Sequence, residues 1–247
     1  MNIRLSLLLA LLSLGACAPT PPPRTATGLL PLGACPASSW RPNAPPPTAS
    51  AKTSIVLLAV QEWARFGRQT LTFSPNKEPR VERLGVQERD APERIRDYWT
   101  AVDKPGLSGL DDVPWSAAFI SWTIESAGVP RDVFCPDQRH TIYVERLVER
   151  ARRTGAGFLP HRPNEYTPRV GDLLCSSREG SGTTLDNLNR GAGHCDIVVE
   201  VRPGEVHAIG GNVRDSVSRS IFPLDASGYM TALPGRPLFA VIENRLP

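Results

Sequence analysis

The chain predicts an α+β domain in which helices come first and an antiparallel sheet second. Three observations carry that expectation. Apolar residues recur at helical spacing in several segments up to about residue 153. After Gly155 they gather instead into short β-type runs divided by Gly and Pro turns. The two kinds of segment do not alternate, which argues against βαβ units. With 247 residues, 40% hydrophobic and 21% charged, the chain is neither fibrous nor disordered in composition. Its formal charge of +3 arises from 28 basic and 25 acidic residues, only three of them Lys, and no basic block occurs. Nucleic acid is therefore not an expected partner.

Residues 1–17, MNIRLSLLLALLSLGAC, place Arg4 before an apolar run from Leu5 to Leu14. That run is too short to span a bilayer, which needs about 20 apolar residues, and it reads as a secretory signal. Leu14-Gly15-Ala16-Cys17 resembles a bacterial lipobox, which implies lipidation at Cys17. With Ala18 following, the resemblance to Gram-negative lipoproteins implies a lipid anchor in the outer membrane, facing the periplasm. Residues 18–50 are rich in Pro, Ala, Thr and Ser, with Pro triplets at 21–23 and 45–47. Such a segment buries too little apolar surface to offset chain entropy and reads as an extended spacer. Residues 51–247 remain as the folded domain.

Within it, Ile55, Leu58, Ala59, Glu62, Trp63 and Phe66 define an amphipathic helix over 51–67, closed by Gly67. Residues 71–90 lack periodicity and are expected to wrap the surface. Asp90-Ala91-Pro92-Glu93 starts a second helix, continued by Ile95, Tyr98, Trp99 and Val102. Asp111 or Asp112 is expected to cap a third, with Pro114 in its first turn and Gly128 as its stop. A fourth spans about 138–153. Val170–Cys175, Cys195–Val201, Val206–Ile209 and Leu238–Ile242 are the expected strands.

Three segments stand out within this frame. Pro114-Trp115-Ser116-Ala117-Ala118-Phe119 opens a helix, and Gly171-Asp172-Leu173-Leu174 opens the sheet. Gly193-His194-Cys195-Asp196-Ile197 leads a strand that is answered by Val206-His207-Ala208-Ile209-Gly210-Gly211-Asn212. Their order over 112–213 resembles papain-like cell-wall amidases and peptidases of the NlpC and CHAP type. Its closest form looks like the bacterial domain-of-unknown-function family 2272, which would also take in the helix around Trp63. The resemblance implies a papain-like fold and a hydrolase acting on amide bonds of peptidoglycan peptides, with cell-wall peptide as partner and no cofactor. By position it makes Ser116 the nucleophile, His194 the base and Asn212 the group that orients the imidazole. A nucleophile at a helix start meets the positive end of the dipole and free N–H groups.

The amidase pattern has Cys where this chain has Ser116, and a hydroxyl cannot be ionised by a helix terminus as a thiol can. The site is then a working Ser-His hydrolase, a cleft that binds cell-wall peptide or a partner protein without catalysis, or a site for another reaction. A plain helix-start Ser bonding to backbone is the bland reading. Asp196, on the same strand face as His194, and His207 are the alternative third members. His140 begins the fourth helix and could approach the same cleft, or simply cap that helix. The spacing of Cys175, His194, Cys195 and His207 lacks the close Cys pairs of zinc sites, so no metal is expected. Cys175 closes one strand and Cys195 opens the next. In an antiparallel pair they would lie opposite each other, so a disulfide is expected in the oxidising periplasm. Cys35 with Cys135 is then the implied second pair.

Overall fold

In the computed structural model the described residues are 35, 36, 38, 50–75, 77–153, 157–178, 181–188 and 191–247. The leader, Cys17 and nearly all of the spacer lie outside them. Four helices and eight strands are described: α1 (Ala51–Arg65), β1 (Gln69–Ser74), β2 (Lys77–Arg83), α2 (Pro92–Thr100), α3 (Ser116–Ser126), α4 (His140–Arg153), β3 (Phe158–His161), β4 (Leu173–Ser177), β5 (Gly193–Arg202), β6 (Glu205–Val213), β7 (Ser216–Pro223) and β8 (Leu238–Asn244). The α+β class holds, but the order is corrected: β1 and β2 precede α2, and the sheet is larger than the short runs imply.

All eight strands join one sheet in the order β2-β1-β7-β6-β5-β4-β8-β3. Every pairing is antiparallel except β1 with β7, which is parallel. Residues 71–90, expected to wrap the surface, instead supply β1 and β2. Their signal is weak because β2, Lys77–Arg83, is an exposed charged edge strand with Pro79 in it. The alternation of β7 is masked by polarity: Ser216, Ser218 and Ser220 are all fully buried. Gln69 compensates for part of that burial, its amide donating to Ser218 Oγ at 2.9 Å and to the Val213 carbonyl at 3.0 Å. β4 begins at Leu173, not at Val170, because Gly171 turns at φ +95°.

α3 is the central helix. Ser116 to Glu125 are buried on all sides, as in a helix enclosed by its own domain. It packs on α1 and α2 and lies over β5 and β6. Close approach to β6 requires Gly211, where a Cβ would stand 2.5 Å from Phe119 Cβ. Neither Asp111 nor Asp112 caps α3. The Asp111 carboxylate accepts from the Ser108 backbone N–H at 2.8 Å, and α3 starts later, with Trp115 at the cap position. Ser116 is therefore the first helical residue.

Cys175 and Cys195 are register partners on β4 and β5 and are joined in a disulfide. A closed loop of this length stabilises by about 3 kcal/mol in the chain-entropy model. Cys35 is bonded to Cys135, tying the middle of the 18–50 segment to the loop after α3. Among the described residues no helix is long and apolar enough to cross a membrane.

Candidate active site

Local sequence places the reacting groups. The indole of Trp115, fully buried, donates to Glu88 at 2.8 Å and so fixes the entry to α3. Ser116 follows as its first residue, and the N–H groups of this first turn have no carbonyl four residues back within the helix. His194 is the second residue of β5, and strand alternation puts Asp196 on its face.

These residues form one hydrogen-bonded chain. Ser116 Oγ lies 2.9 Å from His194 Nδ1, and His194 Nε2 lies 2.9 Å from Asp196 Oδ1. Arg236 Nη2 donates to Asp196 Oδ2 at 2.6 Å. On the other side, His140 Nε2 lies 2.9 Å from Ser116 Oγ, and His140 Nδ1 lies 2.5 Å from the Tyr143 hydroxyl. With Asp196 ionised and both imidazoles neutral, a single arrangement of protons satisfies every link. Tyr143 O–H donates to His140 Nδ1, and His140 Nε2–H donates to Ser116 Oγ. Ser116 O–H in turn donates to His194 Nδ1, whose Nε2–H donates to Asp196.

The electrostatics agree with that direction. Burial lowers the His194 pKa below 6.5, against the opposing pull of Asp196, and Arg236 and Arg178 lower it further. His140 falls well below the same value, first through burial and then through the His194, Arg178 and Arg236 charges. Burial would raise Asp196, but Arg236 and His194 hold it below the ordinary carboxylate range. Both rings are thus neutral and Asp196 is charged near neutral pH. Arg236 is itself packed against the adjoining rings of Phe73 and Phe222, 5.1 Å from each centroid. The chain is tightly packed: Ser116 is 2% exposed, His194 9% and Asp196 1%. Gly210 of β6 makes room for it, since a Cβ there would meet Asp196 Oδ1 at 2.0 Å and His194 Nε2 at 2.9 Å.

The remaining expectations are sorted by this geometry. Asn212 is not the orienting group for His194: its amide donates to Glu88 at 3.1 Å, and Asp196 fills that role. It lines a small pocket with His194 but belongs to the Glu88–Trp115 support. His207 lies elsewhere on β6, 2.8 Å from Glu205 and 3.5 Å from Glu200. Asp172 of the Gly-Asp segment is structural, accepting from the backbone N–H groups of Arg169 and Asn244. Its carboxyl is raised by burial. Cys175 and Cys195 are committed to their disulfide. Among the described residues no three His, Cys, Asp or Glu side chains gather to hold a metal ion.

Two members were missed in the sequence. Tyr143 stands three residues after His140 on one helix, a spacing that puts both on one face and could have flagged it. Arg236 had no such signal, because it comes from the loop before β8, 40 residues from Asp196. Beside Ser116 opens a cleft of about 360 Å³, lined also by Trp99, His140, Arg139, Arg178 and the Gly191–Gly193 segment.

Fold and site together define a mixed α+β protein with a buried Ser-His-Asp arrangement at the start of its central helix. The chain belongs to the family described as uncharacterized protein conserved in bacteria (DUF2272), whose family model matches residues 90–242. The matched span holds every member of the hydrogen-bonded chain but begins after α1, so the helix around Trp63 falls outside it. No curated protein and no solved structure matches the chain.

Proposed function

We propose that this protein is an envelope hydrolase of the papain-like NlpC/CHAP type that cuts amide bonds in peptidoglycan peptides through Ser116. The observation that carries the reading is the one-directional hydrogen-bond chain from Tyr143 through His140, Ser116, His194 and Asp196 to Arg236. A helix-start Ser that merely capped backbone would need none of those partners.

In the reaction Ser116 Oγ attacks the amide carbonyl carbon while its proton passes to His194 Nδ1. Asp196 stabilises the imidazolium so formed, and Arg236 keeps Asp196 ionised. The carbonyl oxygen becomes negative beside the free N–H groups that begin α3. His140 Nε2–H, already on Oγ, strengthens its bond as charge develops there. Collapse expels the amine, which takes the proton from His194. A water molecule, giving its proton to His194, then hydrolyses the acyl-serine and restores Oγ–H.

The leader and Cys17 support a lipid-anchored position at the outer membrane, facing the periplasm. Two disulfides are in keeping with an oxidising compartment. Fractionation of cells expressing Cys17→Ser tests this part: release from the membrane or an unprocessed precursor is expected.

One observation favours a second reading, a non-catalytic cleft that binds cell-wall peptide or a partner protein. Ser116 is 2% exposed, its oxygen enclosed by two imidazoles, so a carbonyl must displace part of that enclosure to reach it. Digestion of purified peptidoglycan separates the two. New amino groups released by the wild-type chain and not by Ser116→Ala support hydrolysis. Pull-down of peptidoglycan by both proteins, without release, supports binding.

A further inference from the structure

Among the described residues, those that line the cleft beside Ser116 carry one sign of charge. Arg139, immediately before α4, and Arg178, immediately after β4, line it together with Ser116, and none of the described lining residues is Asp or Glu. Both arginines are exposed. Among the described residues neither guanidinium has a carboxylate partner, in contrast to Arg94, Arg131, Arg146 and Arg236. The acid nearest in sequence to Arg139 is already committed: Asp137 pairs with Arg146 at 3.1 Å and accepts the Arg139 backbone N–H at 3.0 Å. The Arg178 charge is felt inside the site, where it disfavours protonation of both His140 and His194. Two guanidiniums that have no carboxylate partner among the described residues thus stand on the rim of a cleft whose other described lining groups are neutral.

We propose that Arg139 and Arg178 bind a carboxylate of the peptide whose amide is presented to Ser116, so that the site selects acidic peptides. Guanidinium is suited to this, because its planar fork pairs both carboxylate oxygens at once. The cleft volume of about 360 Å³ suits a short peptide segment. Calling that peptide a substrate rests on the hydrolase reading; the carboxylate site does not.

The test uses the purified full chain, unsubstituted and as Ser116→Ala, in calorimetric titrations. The probes are N-acetyl-Ala-Glu-Lys-Ala and its neutralised counterpart, N-acetyl-Ala-Gln-Lys-Ala amide. The acidic peptide should bind about tenfold more tightly, the scale of a charge-assisted bidentate contact. That preference should shrink with added salt and disappear in the Arg139→Gln/Arg178→Gln double variant, whose melting temperature should be unchanged because both side chains are exposed. Arg178→Lys should keep part of the preference. Equal binding of the two peptides, binding of neither, or a preference that survives in the double variant overturns the inference. Absence of turnover in the unsubstituted chain, with the acidic preference intact, sinks the hydrolase reading alone and leaves the carboxylate site standing.

Discussion

Asp196 stands two residues beyond His194 on β5 and accepts the Nε2–H of that ring at 2.9 Å. The contact follows from strand alternation, and it leaves Nδ1 bare toward Ser116. Neither residue needs a loop to find the other, so the base and its orienting group are positioned by a single strand inside the sheet.

Asp196→Asn would remove the charge that stabilises the imidazolium and would let the amide donate to Nε2, reversing the tautomer. Hydrolysis should fall by about 10³-fold or more. The Arg236 guanidinium would lose its carboxylate in a largely buried setting, so the fold should lose about 3 kcal/mol. Steady-state kinetics and urea melts on one preparation check both. Wild-type turnover in this variant would remove Asp196 from the mechanism.

The pH dependence has a defined sign. His140 and His194 both have folded pKa values below 6.5, close to the unfolded value. Between that value and the folded pKa, the unfolded chain binds protons that the folded chain excludes. Stability should therefore be full above about pH 6.5 and decline as pH falls below it. The acid limb of activity should also lie below 6.5, since His194 stays neutral and able to act as base there. Melting temperatures and kcat/KM measured from about pH 8 down to about pH 5 report the two effects. An acid limb above the ordinary His range would contradict the assignment of His194.

Ser116→Cys puts a thiol between two imidazoles at the positive end of α3. Its pKa should fall below the free value of about 8.5, and iodoacetamide should alkylate it faster than a free thiol at neutral pH. His194→Ala in the same background should return the pKa toward the free value. A thiol that titrates normally and ignores His194 would show that the two do not act as a pair.

Gly210→Ala tests the packing of the site from behind. The added methyl would meet Asp196 Oδ1 at 2.0 Å, and His194 Nε2 is 2.9 Å away. Either the carboxylate or β6 must shift, so activity should drop by at least about 100-fold, with a stability loss of about 1–3 kcal/mol. Gly106→Ala, where nothing lies within 4 Å of the new methyl, is the control and should change neither. Full activity in Gly210→Ala would mean that the exact position of Asp196 is unimportant.

Several parts of this molecule can be read from neighbouring residues alone. Helical periodicity locates α1, α2 and α4, and the small residues after Trp115 mark α3. The Gly-led run at 193 marks β5, with His194 and Asp196 on one face and Cys195 on the other. Each is a matter of spacing within one element, where backbone geometry dictates which side chains share a face. Other parts depend on packing between distant segments. Arg236 reaches Asp196 across 40 residues, and Glu88 draws Asn212 away from His194 across 124. Of the buried serines of β7, Ser218 is met by Gln69 and Ser216 by the Val86 carbonyl, both far away in sequence. His140 turns its Nε2 toward Ser116 because Tyr143 occupies its Nδ1. Most buried polar groups find a partner, but many are available in a chain of this composition. Which one it finds depends on how the whole chain closes around the core.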